Sequence, residues 1–191
     1  MTTWNPADGG GGDPEDVLVG QHVRLRALRV ADLGLLRTWW TDPMLAVLSG
    51  STVRPGPLDP SVEMFRPWGP DSDAAAGLGV ESLSDGELVG HVALQVDPGE
   101  RAAALAMVLG PSHHGQGYES DALRLATRYG FTTMGLHQIE ITAWAHHNHG
   151  IVAYSEAGFI EIERLRDVVL HDGAWHDRVV MRLLRANGPS A

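Results

Sequence analysis

The sequence predicts an α/β protein of the α+β kind, with one mixed, mostly antiparallel sheet flanked by helices. Three observations carry that expectation. Between Leu78 and Leu109, apolar runs separated by tight-turn signals read as an antiparallel meander. From Ala102 to Arg166 the order becomes strand, glycine-rich loop, helix, strand, helix, strand. The chain has 191 residues, enough for one domain with a full-sized core.

The elements follow in order. Residues 1–16 combine Gly9 to Gly12, two prolines and four acids, so a disordered head is expected, followed by a single domain over 17–186. His22 to Arg26 alternates as a strand. Asp32 stands where a helix starts, and Leu33, Leu36, Trp39 and Trp40 recur at helical spacing until Asp42-Pro43 stops the helix. Residues 50–72 hold five prolines and read as a long loop with a helical turn near 61–65. Strands 78–83 and 88–96 flank Ser84-Asp85-Gly86-Glu87, where Asp-Gly supplies the positive backbone angles of a hairpin. A second turn, Asp97 to Glu100, leads into strand 102–109.

The loop Gly110 to Gly117 comes next, then a helix over 120–133 with Ala122, Leu125, Ala126 and Tyr129 as its apolar stripe. Strand 138–145 alternates Ile139, Ile141 and Ala143 against Glu140, Thr142 and Trp144. A short helix over 150–157 ends at Gly158. Strands 159–166 and 178–184 are joined through His171 to Asp177, and residues 187–191 read as a frayed tail. No internal repeat and no second domain is visible.

Composition narrows the chemistry. There are 24 acidic against 14 basic side chains, a formal charge of −10, no cysteine and no lysine. A disulfide framework, thiolate metal ligands, a catalytic thiol and a Walker-type loop are thereby excluded. No apolar run approaches the roughly 20 residues that span a bilayer, and no signal pattern opens the chain, so a cytoplasmic protein without a membrane partner is expected. Net negative charge disfavours nucleic acid and favours a cationic partner.

The sharpest feature is the glycine loop that opens a helix. Such a loop gathers unpaired backbone amides at the positive end of a helix dipole, a ready site for phosphate groups, and Gly115 and Gly117 let the backbone come close. The motif Leu109-Gly110-Pro111, the run His114-Gly115-Gln116-Gly117-Tyr118-Glu119-Ser120-Asp121-Ala122, the run Tyr154 to Phe159 and the turn Asp172 to Asp177 stand in sequence order. Together they resemble the GNAT superfamily of acyl-CoA N-acyltransferases, most closely the branch that acetylates ribosomal-protein N-termini. The resemblance covers roughly residues 20–185.

What the resemblance implies is a sheet whose middle strands splay apart around acetyl-CoA, the acyl donor, with no metal. His114, Gly115, Gln116, Gly117, Tyr118, Glu119 and Ser120 would offer backbone amides to the pyrophosphate. Met107, Val108 and Leu109 would bond the pantetheine arm, with the amide of Val108 or Leu109 polarising the thioester. Tyr154 would contact the cofactor and protonate the departing thiolate, a role that suits a phenol with a pKa near ~10. His147 or Asn148 would take the place of the family's pantetheine-binding Asn. Three departures stand out: Ser112 in place of Gln or Arg, Glu119 in place of a small residue beside two phosphates, and the His147/Asn148 register.

No acid or histidine lies within 102–109, so the general base is open among Glu140, His91, His146, Glu81 and a water chain. His113-His114 and His146-His147-Asn148-His149 invite a metal reading, but no ligand spacing appears and solvated loops account for them. Arg124 and Arg128 could attract the cofactor's 3′-phosphate, although Asp121 nearby favours a salt-bridged helix face. Trp39, Trp40, Phe65 and Trp68 would shape the acceptor side, although core packing explains Trp39 or Trp40 equally well.

The expected function is direct acetyl transfer, in a ternary complex, to a primary and preferably cationic amine: a protein N-terminus or a small amine. The alternatives are a silent acyl-CoA-binding domain and, more weakly, a histidine-rich metal-binding protein. A homodimer is compatible with the resemblance.

Overall fold

A computed structural model describes residues 18–41, 75–97, 99–146, 148–171 and 173–187. The expected head, the loop over 50–72 with Phe65 and Trp68, the side chain of Trp40, and residue 147 lie outside the described residues.

Seven strands form one sheet: β1 (Val23–Ala27), β2 (Ala75–Ser82), β3 (Leu88–Asp97), β4 (Ala102–Leu109), β5 (Gln138–Trp144), β6 (Ile160–His171) and β7 (Ala174–Leu184). Their order is β1-β2-β3-β4-β5-β7-β6. Every pairing is antiparallel except β4 with β5. The helices are α1 (Leu33–Thr41), α2 (Tyr118–Thr132) and α3 (Asn148–Glu156). Among the described residues no helix is long and apolar enough to cross a membrane.

Alternation along the strands decides what covers each face. Val92 and Leu94, Ala103 and Leu105, Ile139, Ile141 and Ala143, and Val179, Met181 and Leu183 are buried in one core with Leu123, Leu125 and Ala126 of α2 and Tyr154 of α3. Helices α2 and α3 therefore cover one face. Val108 points the other way and packs with Leu36 and Trp39 of α1 in a second, smaller core.

The boundaries differ from expectation where tertiary pairing adds residues. Strands β6 and β7 run on to His171 and back from Ala174, so the expected connector from His171 to Asp177 is mostly ladder, closed by a tight turn with Gly173 at φ 78°. Cross-strand hydrogen bonds and two register shifts absorb polar residues that do not alternate. Helix α2 begins at Tyr118, two residues early, because Gly117 at φ 81° forms the N-cap without a side chain. Asp32 belongs to a single 3-10 turn, Val30–Asp32, before α1, where its carboxylate takes the Arg29 amide at 2.7 Å. The tail's first residue, Asn187, closes another such turn, Arg185–Asn187.

Candidate active site

The site is built where β4 and β5 part. These parallel strands pair only from Ala102↔Gln138 to Leu105↔Ile141. Beyond that point β4 stays with β3 through Leu109, and β5 stays with β7 through Trp144. The C-terminal halves of two neighbouring strands thus face each other across an open wedge. Met107, Val108 and Leu109 form one wall, Val108 and Leu109 buried and Met107 half-buried.

At the mouth of the wedge the chain leaves β4 through Gly110 and the 3-10 turn Pro111–His113. Gly110 is held close: a Cβ there would lie 2.7 Å from Trp39 Cζ2 and 2.8 Å from His113 Cδ2. His114 is extended and exposed, and Gly115 and Gly117 turn with φ of 75° and 81°. Gln116 Nε2 donates to the Ser112 carbonyl at 3.0 Å, which closes the loop on itself. No side chain caps the start of α2, so the amides of Tyr118, Glu119 and Ser120 at its positive end have no cap from Gly117.

A buried carboxylate fixes this helix in place. Asp121, 1% exposed, accepts from the backbone amides of His22 at 2.7 Å and Val23 at 3.1 Å, and it is ion-paired with Arg124. Burial works to raise its pKa, but the His22 amide, Arg124 and the Val23 amide outweigh it and hold the carboxyl below the usual range. Arg124 is therefore part of a salt-bridged face, as its spacing from Asp121 suggested. The role of Asp121 as clamp to β1 was not visible, because residues 22 and 121 are linked only by the fold. His22 is a second neighbour that sequence reasoning missed: its Cδ2 lies 3.4 Å from where a Gly117 Cβ would sit.

Tyr154 lies on α3 and is 5% exposed, with its ring 6.3 Å from that of Phe159. Burial, and then the negative charge of Glu119, push its phenol above the ordinary range. Glu119 is half-buried, and burial raises its pKa against the lowering influence of His114 and His149. These four side chains thus share one electrostatic neighbourhood at the start of α2. Asn148 is the first, exposed residue of α3, two residues earlier than the expected helix start.

The structure does not bring Glu140 to this place. It sits opposite Ala104 in the closed half of the β4–β5 pair, bonded by Arg182 at 2.9 and 2.6 Å. Five residues of strand separate Ala104 from Leu109, about 16 Å at 3.3 Å per residue. Glu140 is on the strand expected, but the register puts it at the wrong end. Glu81 is 2% exposed and ion-paired with Arg24, Arg26 and Arg29, while Arg26 also holds Asp32 at 2.7 Å. His91 is fully buried opposite Val108, and burial pushes its imidazole down to about 4. Among the described residues no three of His, Asp and Glu converge as metal ligands do.

A mixed sheet opened between two parallel central strands, with an uncapped helix start at the opening, defines the acyl-CoA N-acyltransferase class of fold. The acetyltransferase (GNAT) domain profile matches residues 22–160, and the chain belongs to that family. Over 116 residues it is 29% identical to a Bacillus subtilis protein named probable N-acetyltransferase YjcK, covering 60% of this chain and 64% of that one, just under two thirds of its length. It is 22% identical over 173 residues to the uncharacterized N-acetyltransferase p20 of Bacillus licheniformis, covering 89% and 97% of the two chains. A spermidine N-acetyltransferase from Vibrio cholerae, solved with CoA and spermine, superposes with a TM-score of 0.77 at 23% identity over 86% of this chain and 96% of that one.

Proposed function

We propose that this chain transfers the acetyl group of acetyl-CoA directly to a primary amine. The observation that carries the reading is the wedge between β4 and β5, with a glycine-bounded helix start at its mouth and a tyrosine on the helix face beside it. The amides of residues 114–120 bind the pyrophosphate, and the main chain of Met107 to Leu109, paired with β3 but open on its β5 side, pairs with the pantetheine arm. An amide of Val108 or Leu109 polarises the thioester carbonyl, which sharpens as negative charge develops on its oxygen. Asn148, exposed at the start of α3, remains the described candidate for a further pantetheine contact.

Tyr154 protonates the leaving thiolate. Burial keeps the phenol in the protonated form that donates, while the raised pKa makes it a weaker acid than a free phenol. Burial raises the Glu119 carboxyl, which eases protonation of a group placed beside two phosphates. With no cysteine in the chain, an acyl-cysteine intermediate is impossible and the amine attacks the thioester in a ternary complex.

The acceptor is read as a cationic amine. The chain's charge of −10 attracts one, and the Vibrio cholerae neighbour was solved with spermine. A protein N-terminus, which the resemblance to the ribosomal-protein branch implies, is the second acceptor class. Release of CoA thiol from acetyl-CoA, measured with spermidine and with short peptides bearing free N-termini, tests both. Acetyl-CoA that binds without thiol release for any amine would overturn the enzyme reading.

A further inference from the structure

We propose that His146, held by Trp144 and His176, takes the proton from the attacking amine. The role rests on the acetyltransferase reading and supplies the group that reading lacks.

The helix-covered face of the wedge is filled by the core that contains Tyr154 and α2. The thiolate therefore departs on that side, and the amine reaches the carbonyl from the opposite face. Alternation tells which side chains stand there. Ala143 and Val179 point into the helix-side core, so Trp144 on β5 and His176 and Arg178 on β7 point away from it. The His146 ring meets Trp144 edge-on at 5.5 Å between centroids and His176 at 4.4 Å, which puts all three rings in one cluster. Height along the wedge agrees. Continuing the Leu105↔Ile141 register by five residues brings Gly110 level with His146. His146, which is exposed, thus stands across the opening from the end of β4, where the thioester carbonyl is held.

The other three side chains considered as base are committed elsewhere. Glu140 is bonded by Arg182 in the closed half, Glu81 is ringed by arginines, and His91 is sealed from solvent. The rings of Trp144 and His176 stand beside His146, and Arg178 is the strand partner of Trp144 on the same face. Asp177 is engaged elsewhere: its carboxylate takes the Asp167 amide at 3.1 Å and faces Arg164 at 3.8 Å. The rings of Trp144 and His176 hold the exposed His146 imidazole in place at the mouth of the wedge.

The step balances as follows. The ammonium nitrogen gives one proton to His146 and forms the C–N bond with the acetyl carbon. The C–S bond breaks, and the thiolate takes the Tyr154 proton. The nitrogen's second proton, lost as the intermediate collapses, restores the phenol, and the proton on His146 passes to solvent. One proton is released for each amide formed.

The test is the pH profile of kcat/KM for spermidine and for a short free-N-terminus peptide, in wild type, His146→Gln, His146→Ala and His176→Gln. Acetyl-CoA affinity, measured by calorimetry, serves as the check on folding. His146→Gln should lose about 10²- to 10⁴-fold in kcat/KM at neutral pH. It should also lose the acid limb of the wild-type profile and recover as rising pH frees the amine, with acetyl-CoA affinity unchanged. Added imidazole should restore part of the activity of His146→Ala. His176→Gln, which only positions, should keep the limb and move its midpoint. Wild-type rates and an unaltered limb in His146→Gln would overturn the role while leaving the acetyltransferase reading intact. A wild-type protein that acetylates no amine overturns both.

Discussion

Replacing Asp121 with alanine should lower stability and acetyl-CoA affinity together. The carboxylate is 1% exposed and joins the first turn of α2 to the start of β1 through the amides of His22 and Val23. Val23 is fully buried, so its amide finds no water in the variant, which costs about 1–3 kcal/mol. His22 is exposed and its amide can turn to solvent, for a loss of about 1 kcal/mol. The ion pair adds under about 1 kcal/mol, because the Arg124 side chain is 47% exposed. The sum, about 2–5 kcal/mol, corresponds to a fall in Tm of roughly 5–20 °C for a chain of this size. Gly20 packs against the same group, since a Cβ there would strike the Asp121 carboxylate.

Thermal and urea unfolding measure the loss, and calorimetry with acetyl-CoA measures the effect on the helix start. Asp121→Asn keeps one acceptor oxygen and should lose about half as much. Because the folded pKa of Asp121 is depressed, its contribution is complete above the unfolded value of about 3.9 and disappears as pH falls through the lower folded value. The variants should therefore show a flatter decline at the acid end. A Tm change under about 2 °C with unchanged acetyl-CoA affinity would refute the clamp.

Three further outcomes are expected. Tyr154→Phe should lower kcat by about 10²-fold or more with acetyl-CoA affinity retained, and undiminished turnover would remove the proposed acid role. Glu119→Gln should tighten acetyl-CoA by about fivefold at pH 8, the worth of one charge at a helix start, with the gain shrinking at lower pH as the wild-type carboxyl takes up a proton; calorimetry at two pH values reads it. His91 titrates at about 4 when folded and about 6.5 when unfolded, so the unfolded chain binds the proton first as pH falls. Stability should decline from about pH 6.5 and level off below about 4, by roughly 3 kcal/mol in all, and His91→Phe should flatten that stretch of the Tm profile.

Much of the fold was legible because its signals are local. Asp85-Gly86 dictates a hairpin, and β4 falls at Ala102–Leu109 as its apolar run and flanking turns require. The glycine loop announces the start of α2 because only glycine at residues 115 and 117 turns through positive φ without strain. Less legible were the ends of β6 and β7. Residues 169–171 and 174–176 lie beyond the expected strands and are strand because each run satisfies the other's backbone across the turn.

In the site, sequence by itself determined the residue types: an amide-rich loop, a tyrosine five residues before Phe159, no thiol and no lysine. Those are matters of composition and spacing, and they exclude chemistries outright. Tertiary structure alone decided which acids and histidines share the wedge. Strand alternation places Glu140 and Trp144 on the same face, and neither spacing nor charge shows that pairing with β4 ends at Leu105, which leaves one in the closed half and the other at the mouth. Likewise His146 and His176 are 30 positions apart in the chain, and only the antiparallel return of β7 beside β5 brings their rings to 4.4 Å.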